Sequence, residues 1–425
     1  MAKINKAVLI IKKVLKILGP GLITGASDDD PSGIATYSQA GAQYGLSTLW
    51  TAWITFPLMA SIQEMCARIG LATSKGLTTI LKMHYPRWVM YLMVLFSFPA
   101  IVMNIGADIA GMGAVANLIV PKVKAEYFSV GFTVVLLICI ILFPYRKIAA
   151  ILKYLAMVLL VYFIVPFLAR TDWFAVLKAT VVPHIDLNKD FLGILVAILG
   201  TTISPYLFFW QTDMEVEELQ EKQKKQKTML VVSRRMFQDM RADVNIGMLF
   251  SNLVMFFIIL TAGTVLAAGG VHKIDTVEQA ASALKPLAGQ GAYYLFAAGV
   301  IGTGFLAIPV LSGALSYIFS ETFGWEMGLD KKFHEAKGFY IIIGISLLAG
   351  LSMNYFGISP IKALLYSAIL YGLTAPVIIA IILHICNNKK IMEDHVNGKR
   401  SNILGALTLV LMTVAAIAML YFQFF

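Results

Sequence analysis

Apolar runs of about 20 residues, long enough to cross a bilayer as helices, recur along nearly the whole chain, separated by polar or basic connections. Eleven are read, near 17–44, 46–70, 88–120, 126–143, 149–169, 190–213, 243–268, 289–318, 338–356, 359–386 and 402–422. The first and the sixth are interrupted at mid-span, at Ser27-Asp28-Asp29-Asp30-Pro31-Ser32-Gly33 and at Gly200-Thr201-Thr202-Ile203-Ser204-Pro205. Proline removes a backbone donor and pushes the preceding residue out of the helical region, so each run predicts two half-helices with freed carbonyls between them. A lone proline in a membrane helix often makes only a kink. Here two breaks lie five spans apart, the pattern of inverted five-helix repeats with a binding site between corresponding broken helices. Residues 17–169 and 190–386 are then the two repeats of a ten-helix core. Residues 1–16 form a cytoplasmic N-terminal segment, and 387–425 a cytoplasmic loop followed by an eleventh span. No residue-level repeat relates the halves; the reading rests on hydropathy and the paired breaks.

Composition agrees with an all-α polytopic membrane protein: of 425 residues, 59% are hydrophobic and 14% charged, outside the range of soluble domains. The net charge of +10 raises nucleic acid as a partner. Its lysines and arginines, however, fall between spans and form no basic domain with interleaved aromatics, so nucleic acid is set aside. With the N-terminus inside, 26 of the 34 lysines and arginines lie in cytoplasmic segments, the bias expected of the inner face. This predicts a multi-pass plasma-membrane protein with a cytoplasmic N-terminus and an extracellular C-terminus. Met1 to Lys16 is basic and amphipathic and lacks a small-residue cleavage site, so it is read as retained. The longest polar connection, Glu215 to Asp243, is read as a solvated helix or loop. Cys66, Cys139 and Cys386 have no paired spacing and read as free thiols. Nothing sets the oligomeric state, and a monomer fits the reading.

The chemistry concentrates at the breaks. Even one charge at mid-membrane costs from about 2.5 kcal/mol upward, so the carboxylates of Asp28, Asp29 and Asp30 must face a cavity, water or a cation. With the hydroxyls of Ser27, Ser32, Thr201, Thr202 and Ser204 and the freed carbonyls, they offer only hard oxygen ligands. Such a set suits Mg²⁺, Ca²⁺ or Mn²⁺, and Mg²⁺, which dehydrates reluctantly, needs few direct protein ligands. Ser32 and Gly33 leave room for a partly hydrated ion. The alternative for the aspartates is capping of the second half-helix at its positive end, and Asp30 suits both roles. No nucleophile–base pair, HExxH or phosphate-binding loop is present, so an enzyme is not expected, nor is any cofactor.

Several stretches resemble the NRAMP divalent-metal transporters. Gly19-Pro20-Gly21 followed by Asp30-Pro31-Ser32-Gly33 is similar to the family's first-helix signature, where Asp-Pro-Gly-Asn stands. Gln63 to Lys75 resembles the end of its second helix, Gly106 to Gly113 its third-helix acidic motif, Gly200 to Gln211 its sixth-helix motif and Leu295 to Gly324 its eighth. The resemblance implies a LeuT-like fold with metal held between helices one and six. Against the family pattern, Gly33 replaces the binding-site Asn and Ser204 the metal-binding Met. Losing a soft thioether leaves a harder, roomier site. Tyr206 and Gln211 replace family histidines, and Gly111 replaces the third-helix Glu, while Asp108 remains. Of the six histidines only His384 falls in a span, near its end, so the groups tied to proton movement are depleted. These departures resemble the NRAMP-related magnesium transporter branch.

The expectation is therefore a transporter importing a divalent metal ion, partly hydrated Mg²⁺ above all and Mn²⁺ or Ca²⁺ after it, by alternating access without proton coupling. Its metal ligands are Asp30, Ser204 and Thr201. Asp28, Asp29, Ser32, Gly33, Asp108 and Gln211 line or support the cavity. Asp108 either touches the ion or holds a neighbouring backbone group. The rivals are a proton-coupled Mn²⁺/Fe²⁺ importer of the ordinary family type, a small organic-solute carrier of the same architecture and a channel; three aspartates argue against an anionic substrate.

Overall fold

In a computed structural model, which describes residues 19–143, 157–169, 171–226, 232–357 and 359–424, the chain is almost entirely helical. The first expected span is two helices, α1 (Pro20–Asp28) and α2 (Pro31–Tyr44). Then follow α3 (Trp50–Thr73), α4 (Leu77–His84), α5 (Arg87–Ile119), α6 (Ala125–Leu142), α7 (Val161–Leu168) and α8 (Trp173–Val181). The sixth span is again two helices, α9 (Lys189–Thr202) and α10 (Pro205–Gln226). The chain ends with α11 (Arg234–Ala262), α12 (Ala292–Phe323), α13 (Lys337–Ser352), α14 (Pro360–Asn387) and α15 (Lys399–Phe424). The expected N-terminal segment 1–16 and positions 149–156 of the fifth span lie outside the described residues.

Eight stretches are long and apolar enough to cross a membrane among the described residues. The remaining expected spans differ for identifiable reasons. The first is cut into two short pieces by Pro31. The second, α3, has the length, but Gln63, Glu64 and Arg68 lower its hydropathy. The fifth is described only over its second part. Outward-facing Leu95, Phe167, Leu348 and Ile417 are exposed, as suits a lipid-facing surface.

The sixth span ends later than its hydropathy implies. Helix α10 continues past 213 to Gln226, and α11 starts at Arg234, before the expected 243. The polar stretch read as helix or loop is thus helix on both sides. Glu218–Lys222 and Glu221–Lys225 form ion pairs four residues apart along it, which supports a solvated helix.

Two apolar cores divide the bundle. One gathers Leu58, Ile105, Phe208, Leu311 and Ile378; the other gathers Ile34, Leu49, Ile258, Ala283 and Val300. The broken helices cross the junction: Ala26 belongs to the first core and Ile34 to the second, Ile203 to the first and Ile198 to the second. Glycines let the half-helices press directly on their supports. A Cβ at Gly25 would lie 2.2 Å from the Gly247 carbonyl oxygen on α11, and one at Gly200 would lie 2.1 Å from the Ala368 carbonyl oxygen on α14. Neither position can take a side chain without the helices moving apart.

Candidate functional site

Helix α1 ends at Asp28; Asp29 (φ −84°, ψ 50°) leaves the helical region, Asp30 (φ −68°, ψ 173°) is extended, and Pro31 opens α2. Proline suits the first helical position because its missing N–H has no partner there in any helix. Asp30 is the cap. Its Oδ1 accepts from the Gly33 N–H at 2.8 Å and from the Ser32 hydroxyl at 2.6 Å. Its Oδ2 accepts from Asn104 Nδ2 on α5 at 2.8 Å.

The other two carboxylates face α11. Ser251 donates to Asp28 Oδ2 at 2.7 Å and lies 3.5 Å from Asp29 Oδ1. Asp28 Oδ1 and Asp29 Oδ2 are buried with no hydrogen-bond partner among the described residues. Both Asp108 oxygens on α5 are in the same condition, within electrostatic reach of the Ser32 N–H and of Asp30. Burying carboxylate oxygens without donors is costly, a cost that bound positive charge would offset.

At the second break α9 ends at Thr202, Ile203 (φ −109°, ψ 60°) departs, and Pro205 opens α10. The Ser204 hydroxyl turns back on its own helix, reaching the carbonyls of Thr201 at 2.7 Å and Gly200 at 3.0 Å. Three contacts tie the breaks together. Ser32 and Thr201 hydroxyl oxygens are 3.4 Å apart, Tyr37 and Thr202 hydroxyl oxygens 3.1 Å, and the Tyr206 hydroxyl donates to the freed Ser27 carbonyl at 3.2 Å.

Asp30, Ser32, Gly33, Thr201 and Ser204 are thus one connected group, with Asp28 and Asp29 on its α11 side and Asp108 on its α5 side. The room expected at Gly33 is filled in this conformation: a Cβ there would meet Asp28 O and Tyr37 at 3.3 Å and Thr201 Oγ1 at 3.4 Å. Asp28, Asp29 and Asp30 are 1, 1 and 2% exposed, so all three carboxylates are buried. Gln211 sits apart from the breaks. Its Oε1 accepts from Thr24 of α1 at 2.6 Å and its Nε2 donates to Glu215 at 3.0 Å, linking α1 to α10. Among the described residues no three His, Cys, Asp or Glu side chains form a metal cage. A cation at the breaks would rely on hydroxyls, carbonyls and its own waters beside one or two carboxylates, a mode available to Mg²⁺.

Four supporting residues escape sequence reasoning. Asn104, Ser251 and Ser367 are polar residues in mostly apolar stretches of their helices, with nothing local to connect them to the breaks; their one signal is a polar group at membrane depth. Asp243 of α11 accepts the N–H groups of Gly19 (2.8 Å), Gly21 (2.7 Å) and Leu22 (3.2 Å), closing the start of α1 from another helix. Beside it a cavity of about 330 Å³ opens between α1 and α10, lined by Gly19, Ile23, Trp210, Glu217, Glu218 and Asp330.

Proteins with this architecture are known. The chain is 24% identical over 400 residues to the divalent metal cation transporter MntH of Caldanaerobacter subterraneus subsp. tengcongensis, covering 93% of this chain and 90% of that protein. It is 24% identical over 414 residues to the MntH of Chromohalobacter salexigens, covering 96% and 91%. The Eremococcus coleocola manganese transporter, solved with an aromatic bis-isothiourea compound, superposes with a TM-score of 0.75 at 18% identity over 96% of this chain and 87% of that one. MhsT with L-phenylalanine superposes at 0.55 and 13% identity, over 95% and 97%. The fold is the LeuT-like one, and no relative among these is an enzyme. Residues 21–422 match the model of the Nramp family, natural resistance-associated macrophage protein-like, and the chain belongs to that family.

Proposed function

We propose that this protein carries divalent metal cations across the plasma membrane by alternating access, and that its cargo is partly hydrated Mg²⁺ moved without proton coupling. The observation that carries this reading is the donor set where the breaks meet: carboxylate, hydroxyl and carbonyl oxygens, with the nearby Met255 thioether of α11 taking the Thr202 hydroxyl at 3.6 Å. Asp30 is the principal ligand, and the Thr201 carbonyl and Ser204 hydroxyl complete the shell directly or through water. Asp28 and Asp29 attract and pass on the cation. The relatives named as divalent metal cation transporters support the class of cargo; Gly33 and Ser204 support the shift toward a hard ion. Residues 17–169 and 190–386 act as inverted repeats about the site, the N-terminus faces the cytoplasm, and the cavity beside α1 is the inner vestibule. The membrane potential contributes about 2.3 kcal/mol per charge per 100 mV, doubled for a divalent ion.

One observation favours a second reading, proton-coupled Mn²⁺ transport. Asp108 remains as a buried carboxylate without a hydrogen-bond partner among the described residues, and a structural relative is a manganese transporter. Proteoliposomes with a Mg²⁺ dye and a pH dye inside separate the two. Saturable Mg²⁺ entry without acidification supports the first reading; Mn²⁺ entry with acidification and no Mg²⁺ signal replaces it with the second.

A further inference from the structure

Asp30 is held from outside the broken span through its Oδ2, by Asn104 at the middle of α5. Asn104 is fully buried, and its own carbonyl oxygen accepts from the Ser367 hydroxyl of α14 at 2.9 Å. The amide has one workable orientation. An ionised carboxylate only accepts, so the NH₂ group must face Asp30, and the oxygen then faces the hydroxyl that can donate to it. Ser367 also lies 2.8 Å from the Leu364 carbonyl of its own helix, and the Tyr371 hydroxyl lies beside Asn104 without a formed hydrogen bond. An amide, unlike a lysine or arginine, fixes the carboxylate without adding a charge that competes with a cation.

A carboxylate has about four acceptor positions. The Ser32 hydroxyl and Gly33 N–H bond Oδ1 and Asn104 bonds Oδ2, and the Ser32 N–H also lies close to the carboxylate. Oδ2 carries fewer of these bonds than Oδ1, and the direction of its other lone pair is set by the Asn104 hydrogen bond.

We infer that Asn104, backed by Ser367, is a positioning residue of the transport site, aiming the remaining lone pair of Asp30 Oδ2 at a hard divalent cation. The inference rests on the proposed role of Asp30 as cargo ligand. It makes α5 and α14 part of the site although neither is broken. It also predicts opposite signs for two substitutions at one position. Asn104→Ala removes the aim. Asn104→Asp sets a second acceptor against Asp30, a pair that a divalent cation relieves.

The test uses the full chain in proteoliposomes, with KM and Vmax for Mg²⁺ and Mn²⁺ uptake, and calorimetric titration of each metal into purified protein. Asn104→Ala raises KM about tenfold, as loss of a hydrogen bond to a charged group implies, with Vmax within about twofold. Ser367→Ala shifts KM in the same direction by about threefold. Asn104→Asp tightens metal binding and lowers Vmax, because release slows. Where Asn104→Ala does not assemble, Ser367→Ala and Asn104→Asp decide. Wild-type KM and binding in both overturn the inference. If Asp30→Ala still abolishes uptake in that case, the proposed site survives without Asn104; wild-type uptake by Asp30→Ala removes the site itself.

Discussion

At the α1–α2 break the gap is Asp29 and Asp30 before Pro31; at the α9–α10 break it is Ile203 and Ser204 before Pro205. The backbones follow one plan, and the polar chemistry diverges. In the first, Ser32 and Gly33 of the same span donate to Asp30, further donors come from α5 and α11 through Asn104 and Ser251, and oxygens of Asp28 and Asp29 still lack a donor among the described residues. In the second, Ser204 bonds the carbonyls of Gly200 and Thr201 on its own span. The first break is an acceptor surplus that calls for a cation. The second largely satisfies itself and offers the lone pairs left on its oxygens. In the proposed site the charge-bearing work therefore falls to α1–α2, with α9–α10 shaping the other wall.

That contrast can be broken most directly at Asp30. Asp30→Ala is expected to lower metal uptake at least about a hundredfold, equal to about 3 kcal/mol, with an unchanged size-exclusion profile. Wild-type uptake would place the charge-bearing role elsewhere. Replacing both Asp28 and Asp29 by Asn keeps the shape and removes the surplus charge; KM should rise about tenfold, read from uptake against metal concentration, and an unchanged KM would mean these two only line the break. Ser204→Met restores a soft ligand to the second wall and should raise the Mn²⁺-to-Mg²⁺ uptake ratio about fivefold, measured by competition. Ser204→Ala takes one hydroxyl from the proposed shell and releases two carbonyls, so KM should rise about threefold; a loss comparable to that of Asp30→Ala would show that the two breaks share the load equally.

Much of this architecture is legible in the residues. Pro31 and Pro205 stand as the first residues of second half-helices, as proline chemistry requires, and Asp30 is the cap that its position before Pro31 suggests. The extent of α10 was not legible from hydropathy, since Glu217 to Lys225 continues a membrane helix as a charged one held by ion pairs four residues apart. Gln211, read from sequence as lining or supporting the cavity, bonds Thr24 of α1 and Glu215 of its own helix, partners its position alone does not reveal. Gly33 looked like space, and folding fills that space with Tyr37, Thr201 and the Asp28 carbonyl.

By itself the sequence determined the helical class, the positions of the two breaks and the hard-oxygen character of the residues there. Those properties are local: a proline removes its own donor, and a carboxylate brings its own charge wherever the chain goes. Only the tertiary structure decided which oxygens are already taken and which remain. Asn104 reaches Asp30 across 74 positions, and Ser251 reaches Asp28 across 223. A hydrogen bond depends on a few tenths of an ångström and on angle, and helices that meet far apart in sequence acquire that geometry only when the bundle packs.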